Sequence, residues 1–312
     1  MRKVIGIGET VLDIIFKDGK PIEAVPGGST FNGIISLGRS GVNATFISEA
    51  GDDLVGEHIV KFVKENGVDA SCMNIYKDAK SPISLAFLND RNEASYIFYR
   101  EPPRDRYDFS YPDIQPDDIV VFGSFYAVDP AIRPQVAGLL DYARNHGAII
   151  YYDLNFRPSH RNDVMRVTPN LLENLEYADI VRGSRDDFAT LYKNPDPDKV
   201  YNAEISFYCK RMICTDGAKA TVLRADGNMR KEYPTPAAQT VSTIGAGDNF
   251  NAGIVYGMIK YNVRRADIEQ GISEETWDKL IDEAQQFSAN CCKGVYNYVE
   301  KDFGKMKQQA LG

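Results

Sequence analysis

Short β-branched apolar runs alternate along the chain with longer stretches whose apolar positions recur every three or four residues. The short runs predict strands near residues 4–8, 44–48, 119–122, 148–153, 180–182, 211–215 and 221–223. The longer stretches predict helices near 30–40, 54–65, 131–145, 185–191, 201–209, 248–261 and 274–293. Strands separated by helical stretches imply right-handed crossovers, hence a mostly parallel sheet covered by helices on both faces, a three-layer αβα architecture. Ligands of such folds bind beyond the carboxyl ends of the strands. That rule places Asp153-Leu154-Asn155, Thr215-Asp216-Gly217 and Gly245-Ala246-Gly247-Asp248 on one rim.

Two stretches leave this alternation. Residues from about 14 to 26, and 81 to 100, have the strand-turn-strand pattern, with turns at Lys17-Asp18-Gly19 and Asn89-Asp90-Arg91. Together they predict a small separate sheet that serves as a lid, a dimer surface, or both. No repeat, low-complexity tract or flexible linker divides the chain, so residues 1–312 are expected to form a single α/β domain carrying that lid.

Composition narrows the function. The sequence is 43% hydrophobic, ample for a large core. It carries 36 basic and 44 acidic side chains, net −8, without a long basic run, which argues against a nucleic-acid surface. A small anionic ligand is compatible with that balance, because a local site can be positive on an acidic protein. The first apolar run is too short for a signal-peptide core, and no run approaches the roughly 20 residues of a membrane span, so a cytoplasmic protein is expected. The five cysteines (Cys72, Cys209, Cys214, Cys291, Cys292) show no paired metal-ligand spacing and read as free thiols of a reducing cytosol. Only His58, His146 and His160 are present, which leaves little support for a His-rich metal site or a Ser-His-Asp triad.

The sharpest chemical signal is the run Thr240-Val241-Ser242-Thr243-Ile244-Gly245-Ala246-Gly247-Asp248-Asn249-Phe250. A Gly-Ala-Gly turn feeds a helix whose first N–H groups lack internal partners and whose dipole adds positive potential, an arrangement suited to an anion. Asp248 stands at the mouth of that site. Beside a phosphate a carboxylate is repelled, unless it accepts a proton from an attacking hydroxyl. The competing explanation is that Asp248 caps the helix and the glycines make a tight turn. Other nucleotide signatures are missing: no Gly-x4-Gly-Lys-Ser/Thr occurs, and Gly6-Ile7-Gly8 lacks the third glycine of a dinucleotide fingerprint.

The segment ending at Asp248 resembles the Asp-Thr-x-Gly-Ala-Gly-Asp signature of the ribokinase-like (PfkB) carbohydrate kinases, and further motifs occur in family order. Gly8-Glu9-Thr10-Val11-Leu12-Asp13 is similar to the opening strand with its sugar-binding aspartate. Pro26-Gly27-Gly28-Ser29-Thr30-Phe31-Asn32 resembles the sugar loop, and Gly51-Asp52-Asp53-Leu54-Val55-Gly56 the Gly-Asp-Asp-x-x-Gly turn. Phe98-Tyr99-Arg100 and Asp153-Leu154-Asn155-Phe156-Arg157-Pro158 are similar to segments of fructokinases and 2-keto-3-deoxygluconate kinases.

The resemblance implies an ATP-dependent sugar kinase, with fructokinase-like substrates first and keto-deoxygluconate-like acids or nucleosides as alternatives. Asp248 would be the base, and the Gly245, Ala246 and Gly247 amides would stabilise the transferring group. Asp13, Gly27, Gly28, Asn32, Arg100 and Arg157 would meet the sugar. Asn155, Ser184, Thr215 and Gly217 would serve the nucleotide, with Mg²⁺ held mostly through water near Asp187. Apart from the resemblance, the apolar strands of the small sheet lead to the expectation of a homodimer through it.

Departures fall on the nucleotide side. The first aspartate of the signature, which in many members helps hold an activating monovalent cation, is Ser242, leaving potassium activation an open question. The Asn-x-x-Glu motif becomes Ser184-Arg185-Asp186-Asp187, and the Gly-Ala that usually follows the nucleotide-contacting helix is not clear at Cys291-Cys292-Lys293-Gly294-Val295. A sugar-binding protein with weak phosphotransfer is the alternative from a different class.

Overall fold

The computed structural model describes residues 2–89, 94–106, 109–237 and 239–311. The chain opens with a buried strand, β1 (Val4–Ile7), then leaves the main sheet through β2 (Val11–Lys17) and β3 (Lys20–Gly27). Helix α1 (Ser29–Arg39), β4 (Ala44–Gly51) and α2 (Leu54–Glu65) return it, followed by two short strands, β5 (Val68–Asp69) and β6 (Met73–Tyr76). The second hairpin is β7 (Lys80–Leu88) and β8 (Ala94–Glu101). Next come β9 (Ile119–Gly123), α3 (Arg133–Asn145), β10 (Ile149–Asp153), α4 (Val164–Tyr177), β11 (Ile180–Ser184), α5 (Arg185–Tyr192) and α6 (Pro197–Val200). The C-terminal part holds β12 (Met212–Thr215), β13 (Ala220–Ala225), β14 (Met229–Pro234), α7 (Ala246–Lys260), α8 (Arg265–Gln270), α9 (Glu274–Cys291) and α10 (Lys301–Gln309).

The main sheet runs β14-β13-β12-β11-β10-β9-β1-β4-β5, with β6 also paired to β4. All neighbours from β12 to β5 are parallel, while β13 and β14 close one edge in antiparallel fashion. Alternation along each central strand divides the apolar side chains between two cores. Val4, Ile119, Ile149 and Ile180 face the core under α1, α7 and α9. Ile5, Val120, Ile150 and Val181 face the core under α3, α4 and α5. This is the expected three-layer fold. The strand order reverses at β1, which has β4 on one side and β9 on the other, so ligand chemistry is expected at its carboxyl end.

That end leads directly into a separate four-stranded sheet, order β3-β2-β7-β8. It is the small sheet expected from residues 14–26 and 81–100. Of the turn expected at Asn89-Asp90-Arg91, Asp90 and Arg91 lie outside the described residues. The Gly51-Asp52-Asp53 turn ties this sheet to the body. Asp53 caps α2 by accepting from the Gly56 amide (2.9 Å) and also accepts from the Ser81 amide of β7 (2.9 Å).

Several expectations needed correction. The helix expected at 201–209 starts earlier, as α6 followed by a wide helical turn at Tyr201–Ile205. Asp196 sets that start by accepting from the amides of Asp198 and Lys199, with Pro197 at the first position. Helices α4, α8 and α10 and strands β5, β6 and β14 were not anticipated; α4 carries Pro169 in its interior, which disguises it as a break.

Candidate active site

Helix α7 begins at Gly245, whose backbone is left-handed (φ 77°). A side chain there would place its Cβ 2.7 Å from the Asn297 carbonyl oxygen, so the turn requires both the conformation and the smallness of glycine. Asp248 does not cap its own helix. Its carboxylate crosses to the start of α1, where Oδ1 accepts from Ser29 Oγ (3.1 Å) and Oδ2 accepts from Asn32 Nδ2 (2.8 Å). Of the two sequence explanations for Asp248, the capping one finds no counterpart. Burial raises its pKa above the ordinary carboxylate value, with the Asn32 hydrogen bond and the Arg157 charge opposing.

The partners of Asp248 are themselves positioned. Asn155 Nδ2 donates to Ser29 Oγ (2.6 Å), from a loop after β10 where Asn155 has positive φ (32°). The structure thus places Asn155 beside the aspartate rather than in the nucleotide cavity. Asn32 is buried, and its Oδ1 has no hydrogen-bond partner, so an acceptor remains available one residue-width from the carboxylate.

Asp13 arrives on β2, an inner strand of the small sheet. It is buried, accepts a hydrogen bond from Ser84 Oγ of β7, and burial pushes its pKa up to about 6 against the Ser84 bond and the Arg157 charge. Gly28 joins β3 to α1 with φ 138°; a Cβ there would lie 2.3 Å from the Glu9 carbonyl oxygen. Gly27, Gly28, Asn32, Asp13 and Asp248 therefore lie in one neighbourhood. Arg157 is exposed above them, its guanidinium 5.6 Å from the Tyr96 ring centroid. Arg100 pairs with Glu9 (2.9 Å), which balances its charge.

Across the Gly245-Ala246-Gly247 turn lies a cavity of about 570 Å³. Ser184, Thr215 and Gly217 line it, at the ends of β11 and β12, together with Ala246, Gly247 and Phe250 of α7. Small and hydroxylated side chains dominate its wall, the character of a pocket that meets a ligand through backbone and shape. Ser184 and Asp187 make a reciprocal cap on α5: Ser184 Oγ accepts from the Asp187 amide (3.1 Å), and Asp187 Oδ2 accepts from the Ser184 amide (2.7 Å). Asp187 Oδ1 accepts from the Phe156 amide (2.8 Å). Both carboxylate oxygens are thus engaged in holding backbone, and the neighbouring Asp186, not Asp187, lines the cavity.

Sequence reasoning missed the cation of this half. Arg182 lies on β11 with its side chain almost wholly buried. Nη1 donates to Asp153 Oδ1 (3.1 Å) and Nη2 to Thr215 Oγ1 (2.6 Å). A Cβ on Gly247 would lie 2.8 Å from Nη2, so the guanidinium sits directly against the turn. Burial opposes its charge, but Asp153 and Asp187 outweigh that and push its pKa up, so it stays cationic. Asp153 is fixed in turn by Asn251 Nδ2 (2.8 Å), whose Oδ1 accepts from Tyr151 (2.9 Å). The only available signal was an arginine inside a run otherwise buried on both faces of the sheet. Ser29 was hidden similarly, as one small residue in a glycine loop.

The site thus combines a carboxylate held beside a glycine turn, a polar pocket beside the small sheet, and a cavity across the turn. Comparison with known proteins agrees with this geometry. A 5-dehydro-2-deoxygluconokinase of Geobacillus thermodenitrificans is 29% identical over 255 residues, covering 75% of this chain and 72% of that one. Aminoimidazole riboside kinase of Salmonella enterica, solved with aminoimidazole riboside and an ATP analogue, superposes with TM-score 0.83 at 20% identity over 100% of both chains. A double mutant of fructokinase from Vibrio cholerae O395, solved with fructose, ADP and potassium ion, gives TM-score 0.83 at 17% identity over 100% of this chain and 95% of that one. Residues 1–288 match the pfkB family of carbohydrate kinases, and the chain belongs to that family as a phosphotransferase acting on a sugar hydroxyl.

Proposed function

We propose that the protein transfers the γ-phosphoryl group of ATP to a hydroxyl of a neutral, fructose-like sugar, with Asp248 as the base. The observation carrying this is the Asp248 carboxylate, held by Ser29 and Asn32 instead of capping its helix. It accepts the hydroxyl proton as the oxygen attacks phosphorus in line, while the opening amides of α7 and the Arg182 charge stabilise the phosphoryl oxygens. ATP occupies the cavity lined by Thr215, Gly217 and Ser184.

Charge balance at the sugar pocket supports a neutral substrate. Arg100 is paired with Glu9, and the Arg157 charge acts on both Asp13 and Asp248, so no net positive field awaits a sugar acid. Among the described residues no group of three or more His, Cys, Asp or Glu could hold a metal, and Asp187 is committed to backbone. That donor set suits Mg²⁺ carried by the nucleotide phosphates and water, with Asp186 nearby; bound so, the ion neutralises phosphate charge. The small sheet acts as a lid that keeps water from the phosphoryl group. Its edge strand β8 exposes Ile97 and Tyr99, which supports a homodimer through the lid. The five free thiols, all buried, support a reducing cytoplasm, and no described helix is long and apolar enough to cross a membrane.

Coupled ADP release over fructose, other hexoses, 5-dehydro-2-deoxygluconate, 2-keto-3-deoxygluconate and nucleosides tests the reading. Turnover greatest with a neutral ketose is expected. Preference for an acid would overturn the charge inference, and sugar binding without turnover on any member would overturn the kinase assignment.

A further inference from the structure

The turn before α7 leans on a second loop, residues 291–297, and protein donors meet the carbonyls at this joint. Cys291 Sγ lies 3.5 Å from the Ile244 carbonyl oxygen and 3.6 Å from that of Tyr296, placed to donate its one proton to either. Asn249 Nδ2 donates to the carbonyls of Gly245 and Asn297 (2.8 Å each). The amides of Val241 and Ser242 donate to the Cys292 carbonyl (2.8 and 3.3 Å). Ser242, where the resemblance implies a carboxylate, uses its Oγ to accept from the Ile244 amide (3.2 Å).

A monovalent cation is held when carbonyl oxygens replace its hydration shell. Here the Gly245, Asn297 and Cys292 carbonyls already accept from N–H groups, the Cys291 proton serves the Ile244 or the Tyr296 carbonyl, and no carboxylate stands at position 242 to offset the cost of dehydration. The donor set does not fit a cation. From this disagreement we propose that the phosphoryl-transfer turn is braced internally, by the Cys291 thiol and the Asn249 amide, and that catalysis needs no monovalent cation. Cys291 is then a positioning residue: it fixes the Ile244 carbonyl, one residue before the Gly245 turn, and touches neither substrate. Burial raises the thiol pKa, which keeps the proton that the bond requires.

The inference rests on the kinase reading for its activity arm only. The full-length protein is transferred to tetramethylammonium buffer, and both ADP release and the melting midpoint are followed as K⁺ or Na⁺ replaces tetramethylammonium at constant ionic strength. Less than about a twofold change in rate and no K⁺-specific rise in midpoint are expected. Tenfold activation by K⁺, or a saturable K⁺-specific rise in midpoint, overturns the proposal; the midpoint decides even if no sugar in the panel is turned over. Cys291→Ala should lower kcat about tenfold with sugar KM unchanged, and Cys291→Ser, which keeps a donor, should recover most of that loss. Full kcat in Cys291→Ala would remove the thiol from the brace. Should Cys291→Ala not fold, Cys291→Ser and the cation titration of the unaltered protein carry the test.

Discussion

The proposed sugar half and the proposed nucleotide half of the site are built from different materials. On the sugar side, side chain meets side chain: Asp248 with Ser29 and Asn32, and Asp13 with Ser84. Each group has a defined partner, and a change of residue type breaks a specific bond. On the nucleotide side the cavity is walled by strand ends, a glycine turn and small residues, so that backbone and shape do the holding. A pocket built from backbone tolerates new side chains as long as the backbone stays in place. Ser184, a departure from the family pattern, lies in that half and still caps α5, whereas Ser242 lies in the pocket with Asp13 and Tyr96 and still ties its loop.

The comparison can be broken most directly at Asp248. Asp248→Asn should lower kcat by about 10³-fold, since a positioned base supplies that order of acceleration, while sugar binding by calorimetry persists. Because the Asp248 pKa is raised, the protonated, inactive form persists to higher pH than for a free aspartate. The rate should therefore climb with pH through a midpoint above that of an ordinary aspartate, and an acid limb at the ordinary aspartate position would contradict the assignment. Substituting the glycine of the turn is the next largest effect. Gly245→Ala introduces both strain at positive φ and a clash with Asn297, and kcat should fall about 10- to 100-fold, corresponding to the roughly 1–3 kcal/mol such strain costs.

Arg182 tests whether the nucleotide half also depends on a side chain. Arg182→Met leaves Asp153 buried without its counter-charge and should lower stability by about 3 kcal/mol in urea melts. Adding Asp153→Asn should restore much of that stability without restoring ATP KM; recovery of both would make Arg182 a purely structural ion. Asp13→Asn should raise sugar KM by about tenfold, the scale of a charge-assisted hydrogen bond, and leave ATP KM alone. In the unaltered protein sugar KM should rise as pH falls through about 6, where Asp13 gains its proton. The smallest effect is expected at Ser184→Ala, which should cost about 1 kcal/mol of stability through lost capping with ATP KM little changed.

Much of the fold could be read because a buried parallel sheet writes its strands as apolar runs. Residues 54–65 were anticipated to the residue as α2, where Asp53 caps and apolar spacing is regular. Helix α4 escaped because Pro169 interrupts its pattern, and β14 because its alternating half-exposed residues lie on an edge. The sugar half was legible for the reason given above, since its chemistry resides in side-chain identity. Arg182 and Cys291 were not, because an arginine in a strand and a cysteine beside another carry no local sign of what they face. Their roles come from strands and loops joined only in three dimensions: β10, β11 and β12 for Arg182, and residues 244 and 296 for Cys291.

The junction of β3 and α1 has a mechanical consequence. The strand ends at Gly27 and the helix begins at Ser29, so Gly28 alone joins the small sheet to the main body at this point. Its backbone has a positive φ (138°) that favours glycine, and the hydroxyl of the next residue donates to the Asp248 carboxylate. The seating of the small sheet and the orientation of the Asp248 carboxylate therefore share this junction.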